Sequence, residues 1–160
     1  MVNDVKGALT GWPMAPESTY PSKRGIGRGK MDFQTLRLTA KPNQYLVAPA
    51  GFCAQAEPHR IAPDFGLEPA ALRRRFRDLA LAQPRVVQVD ADDGRLLDTY
   101  VQRSALLGFP DTISAQFLAA GAARSSIAIY SRSRYGYSDL GVNKARIDAW
   151  LRDLAATCPV

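Results

Sequence analysis

The sequence predicts an α+β domain: an antiparallel four-stranded meander packed against two helices, with a long irregular N-terminal segment. Three observations lead there. Apolar residues recur at helical spacing after Glu68 and again after Val142. Between these two stretches lie four segments with strand character, divided by short turns such as Asp92-Asp93-Gly94. Before Leu36 no helical or strand period is sustained, and Pro13, Pro16, Pro21 and Gly25-Ile26-Gly27-Arg28-Gly29 break the chain repeatedly.

Residues 1–35 therefore read as a flexible basic extension, and residues 36–160 as a single α+β domain. The extension carries much of the charge. Of a net +6, residues 1–41 hold seven Lys/Arg against three acids. The remaining chain is nearly balanced, with fourteen basic residues against twelve acidic. The sequence pI near 9.6 thus reflects the leading segment, and a nucleic-acid groove on the folded part is disfavoured. The glycine run is no phosphate loop, because no apolar strand precedes it and no helix opens directly after it.

From Leu36 to Leu67 four prolines (Pro42, Pro49, Pro58, Pro63) predict an irregular wrap over the surface, with a short edge strand near Tyr45–Val47. His59, between Pro58 and Arg60, reads as a surface histidine. The first helix is expected from Glu68-Pro69 to about Ala82, with proline at the first helical position. It buries Leu72, Phe76 and Leu79, while Arg73, Arg74, Arg75 and Arg77 face solvent. The four strands follow as Arg85–Asp90, Arg95–Ser104, Asp111–Leu118 and Ser125–Arg134. Ile113, Ala115 and Phe117, then Ile127 and Ile129, alternate with other residues, which predicts one buried sheet face. The last helix runs from Val142 or Asn143 to Ala155 with Asn143 as cap, and buries Ile147, Trp150, Leu151 and Leu154.

Cys53 and Cys158 are the only cysteines and His59 the only histidine, so no protein-only zinc or iron–sulfur site is expected, and no cofactor. The two cysteines read equally well as a disulfide or as separate thiols. No run approaches the roughly 18 apolar residues of a membrane-spanning helix, and the first twenty residues lack the apolar centre of a secretory signal. The chain as written reads as soluble. Cytoplasmic and envelope-associated locations both stay open.

The chemistry-bearing residues concentrate where the last strand ends. Arg132 and Arg134, two apart on a strand, leave the same face. Arg103 ends the second strand and Asp111 begins the third, so an up-and-down sheet brings all four residues to one rim. Tyr135, Tyr137, Ser138, Asp139 and Asn143 follow in the turn and helix start, where free N–H groups favour an anion. One reading is a binding module in which Arg103, Arg132 and Arg134 hold a phosphate, carboxylate or lipid headgroup, flanked by Phe109 and the two tyrosines. Another is a structural network in which Asp111 and Asp139 neutralise those arginines, with Gly136 and Gly141 supplying special backbone. A third is a hydrolase-like enzyme with Asp139 or Asp111 as general base. A fourth is an interaction subunit of an envelope assembly, with the basic leading segment and the arginine-rich helix meeting a protein or membrane surface.

The stretch Phe109-Pro110-Asp111-Thr112-Ile113-Ser114, the run Ile127 to Arg134, Gly136, Ser138-Asp139-Leu140-Gly141-Val142-Asn143 and Arg146, with Asp32-Phe33 and Pro42-Asn43, together resemble the bacterial and plant-plastid family known as domain of unknown function 1499. The resemblance runs from about Asp32 to the C-terminus. It implies no particular reaction, and it implies that many relatives are exported or anchored at the N-terminus. This chain departs in lacking an obvious anchor. It also carries Ala48 where relatives often have a second cysteine near the one matching Cys53, so no short-range disulfide is expected there.

Overall fold

The computed structural model describes residues 30–158. The expected basic extension falls almost wholly outside them. The folded unit begins at Met31, earlier than the expected boundary at residue 36, because Phe33 is an anchor only 1% exposed.

Seven strands and two helices follow in the order β1 (Gln44–Ala48), β2 (Arg60–Ile61), β3 (Asp64–Phe65), α1 (Pro69–Leu81), β4 (Val86–Asp92), β5 (Leu97–Arg103), β6 (Pro110–Ala119), β7 (Ser125–Ser133) and α2 (Val142–Thr157). The expected meander is present as β4 to β7, each antiparallel to the next. It is not the whole sheet. The spatial order is β2-β1-β7-β6-β5-β4, with β3 also on β7 and β2 parallel to β1, so the sheet is mixed.

The edge strand expected near Tyr45 is an interior strand. All five residues of β1 are buried, and β1 pairs with Ile129–Arg132 of β7 while β3 pairs with Ser125 and Ser126. Together they cover the edge that a four-stranded sheet would leave open. Pro42 and Pro49 bound β1 rather than interrupt it, as ladder geometry requires. His59 is exposed. Its N–H donates to the Leu46 carbonyl at 2.9 Å, and its Nδ1 accepts from the Leu46 N–H at 3.0 Å. That ring therefore continues the β1 ladder.

Both faces of the sheet are buried, which corrects the one-face expectation. On one side α1 and α2 pack Leu72, Phe76, Ile147, Trp150 and Leu154 onto Tyr45, Val47, Tyr100, Ile113, Phe117, Ile127 and Ile129. Phe76 is the centre, with the rings of Phe117, Trp150 and Tyr100 at 5.5, 5.8 and 5.9 Å. On the other side Phe33 and Cys53 join Leu46, Ala48, Leu97, Ala128 and Tyr130, flanked by Met31, Leu36, Leu38 and Phe52. The lead-in segment thus serves as a second covering layer. Cys53 and Cys158 pack against opposite faces and are separate thiols.

The helices begin where expected, with three corrections. On α1, Ala80 is buried while Leu79 is only partly so, and Arg73 is 7% exposed rather than solvated. On α2 the cap position is Gly141, in the left-handed region at φ 81°, and Asn143 lies one residue inside the helix.

Candidate functional site

Alternation along β5 to β7 sorts the polar residues of the predicted rim onto two faces, and the two faces do different work. On the helix-covered face, Asp111 pairs with Arg146 at 2.5 Å. The Arg146 guanidinium also donates to Gln102 Oε1 at 2.5 Å, Asn143 Oδ1 at 2.8 Å and Ser131 Oγ at 3.0 Å. Asn143 is fully buried. Its Nδ2 donates to Asp139 Oδ2 at 2.5 Å, to Ser133 Oγ at 3.0 Å and to the Asn43 carbonyl at 3.2 Å. Asp139 in turn accepts the backbone N–H of Gly141 at 3.0 Å and of Asn143 at 2.8 Å. It therefore satisfies the donors at the start of α2, the task expected of Asn143. Asn43 Nδ2 donates to the Gly136 carbonyl at 2.9 Å, which fixes the turn. Gly136 and Gly141 both have φ 81°, so the positions singled out for special backbone have it.

An arginine–aspartate network thus exists, but its arginine is Arg146. Nothing in sequence spacing pointed to that residue. On the helix it sits three residues after Asn143 and beside the apolar Ile147, which is the one signal for a side chain only 8% exposed.

The opposite face holds the other arginines. Arg132 is exposed and Arg134 half-buried, and Arg134 Nε donates to Thr112 Oγ1 at 3.1 Å. Arg103 is exposed and donates to the Gly108 carbonyl at 3.0 Å. Register places them together: Arg103 is opposite Pro110, the Pro110 carbonyl accepts the Arg134 N–H, and Arg132 is opposite Thr112. Arg103 and Arg134 start from strands about 10 Å apart, two strand spacings. Among the described residues, no ion pair joins Arg103 or Arg132 to a carboxylate, while Asp111 and Asp139 are engaged on the other face. Arg132 also faces the Tyr130 hydroxyl. Burial raises the pKa of that phenol, and the neighbouring guanidinium opposes the rise.

Beyond the arginines two loops form the tip. In the β5–β6 loop, Ser104 Oγ accepts the Phe109 N–H at 3.0 Å. The Phe109 ring meets that of Tyr135 at 5.7 Å, so this loop touches the β7–α2 connection. Tyr135 and Tyr137 are 61% and 68% exposed, and Ser138 Oγ accepts the Leu140 N–H at 3.2 Å. Of the predicted ligand residues, Arg103, Arg132, Arg134, Tyr135, Tyr137 and Ser138 surround this tip, whereas Asn143 and the Asp139 carboxylate are turned into the protein. A shallow depression of about 520 Å³ is lined by Arg37, Leu38, Gln55, Ala56 and Glu57.

A second charged cluster went unforeseen. Asp98 is fully buried and accepts from Arg73 at 2.7 Å, Arg77 at 3.2 Å and the Tyr100 hydroxyl at 3.1 Å. Burial by itself would raise the Asp98 pKa, but hydrogen bonds from Arg73 and Arg77 outweigh it and hold the carboxyl below its ordinary value. The cluster clamps α1 to the sheet: Asp98 is fully buried, Arg77 is one-third exposed, and Arg73 also pairs with the exposed Asp93 at 2.8 Å. Among the described residues, no group of acidic, histidine and cysteine side chains is arranged to hold a metal ion, and no helix is long and apolar enough to cross a membrane.

Neither the curated proteins nor the solved structures contain a match to this chain. The profile of one family does match, over residues 37–154, which includes both faces of the rim and nearly all of both helices. The chain belongs to the family described as Protein of unknown function (DUF1499).

Proposed function

We propose that the domain is a non-enzymatic binding module whose ligand is a small anion or anionic headgroup held by Arg103, Arg132 and Arg134. The observation that carries this reading is the separation of charges by the sheet. The nearby carboxylates, Asp111 and Asp139, serve Arg146 and the α2 N-terminus on one face. Arg103 and Arg132 lie exposed on the other, with no carboxylate within ion-pair distance among the described residues. Guanidinium groups present forked donors that match phosphate and carboxylate oxygens, and they stay charged at any physiological pH. Phe109 and Tyr135 give the site an aromatic wall.

The test is calorimetric titration of the full chain with glycerol 1-phosphate and with inorganic phosphate. Arg132→Ala is expected to weaken binding roughly tenfold, the scale of one charge-assisted contact, without moving the thermal midpoint. Equal affinity in the variant and the parent protein would overturn the reading.

A further inference from the structure

The tip beyond the arginines exposes apolar side chains in a way the rest of the surface does not. Seven of the ten large hydrophobic residues exposed among the described residues belong to the β5–β6 loop and the β7–α2 connection with its first helical residue. Leu106 and Leu140 are 90% and 95% exposed. Leu107, Phe109, Tyr135 and Tyr137 join them. Isolated exposed leucines are ordinary, but a group concentrated in two loops that meet through the Phe109–Tyr135 ring contact marks an interaction surface. Leu140 adds a second argument. Its φ is 54°, a left-handed conformation that a γ-branched side chain resists, and Gly141 beside it is left-handed as well. The chain thus holds a leucine outward in a strained turn.

We propose that this tip inserts into the surface of an anionic phospholipid bilayer, with the two loops entering the headgroup layer and Arg103, Arg132 and Arg134 binding phosphate oxygens behind them. The inference rests on the anion-binding reading above and names the source of the anion. Charge selects the occupant. Between residues 103–109 and 132–142 the groups charged at neutral pH are three arginines and Asp139, and Asp139 is bound to the N-terminus of α2. Outward leucines, amphipathic tyrosines and a basic collar are the composition that partitions to a lipid–water interface. A second copy of the chain would set these arginines against one another.

The experiment is co-sedimentation of the full chain with phosphatidylcholine vesicles and with mixed phosphatidylcholine–phosphatidylglycerol vesicles, beside a titration with soluble glycerol 1-phosphate. The protein is expected to sediment with the mixed vesicles and not with phosphatidylcholine alone. The double variant Leu106→Ser/Leu140→Ser is expected to lose about tenfold or more in partitioning while binding glycerol 1-phosphate as before, which shows its fold and arginines intact. Undiminished sedimentation of that variant would overturn the inference. So would binding of glycerol 1-phosphate without any binding to vesicles, which would leave the anion site standing, or self-association through the tip in place of vesicle binding. Failure of both ligands would remove both readings.

Discussion

Asp98 shows how one residue can carry a disproportionate share of stability. It lies wholly inside the protein, and Arg73, Arg77 and Tyr100 supply its hydrogen bonds. Replacing it takes from Arg73 its buried partner and leaves only the ion pair to the exposed Asp93, so Asp98→Asn is expected to lower unfolding free energy by about 3 kcal/mol in a urea titration. The pH dependence follows from the depressed carboxyl. Its contribution is fully present above the unfolded carboxylate pKa of about 3.9 and is lost as pH falls through the lower folded value. The parent protein should therefore lose stability on acidification below that point more steeply than Asp98→Asn. Leu140 carries strain in the opposite sense. Leu140→Gly relieves a left-handed backbone and is expected to raise stability by roughly 0.5–1 kcal/mol, read by the same titration, while the tip loses an anchor. The pair Arg132 and Arg134, at and just past the end of β7, was legible from the two-residue spacing alone. Arg146 and Arg73 were not, since whether an arginine beside an apolar stripe is solvated depends on where the sheet places a carboxylate.

At the scale of elements, the start of α2 depends on a residue outside the helix. Asp139 accepts from two backbone N–H groups and from the Asn143 side chain, so Asp139→Ala is expected to cost about 1–2 kcal/mol, measured by thermal unfolding. The cost should fall on α2 and leave the arginine face in place. Helices α1 and α2 and strands β4 to β7 were readable because each has a period and punctuation: alternation between turns, or a stripe after a proline or glycine start. Strand β1 was half-hidden. A strand buried on both faces shows no alternation, and the prolines on either side read as loop chemistry although they only mark its ends. Strands β2 and β3, two residues each, carry no pattern of their own and exist because β1 and β7 offer unpaired ladder groups.

For the whole molecule, the sheet works as a partition. One face meets the helices and keeps the carboxylates, Asp98 and Asp111, with their arginines; the other is covered by the lead-in segment and ends in the exposed arginine rim. The same partition separates the cysteines. Burial raises the pKa of the Cys53 thiol, and Cys158 packs on the far side. Titration with a thiol reagent should count two reactive groups in denaturant, Cys53 reacting only slowly in the folded protein. A single slow thiol with no gain on unfolding would contradict that arrangement. The two-layer architecture was legible in the sequence, whereas the third layer was not, because Phe33 and Cys53 lie in stretches whose local pattern is that of loop. The most direct test of the arginine rim as an anion site is an amide NMR titration of the full chain with glycerol 1-phosphate. The expected result is shifts confined to Arg103, Gly108, Arg132, Arg134 and Tyr135 and their neighbours, abolished in Arg132→Ala. Shifts centred on the depression around Arg37 and Glu57, or none at all, would contradict it.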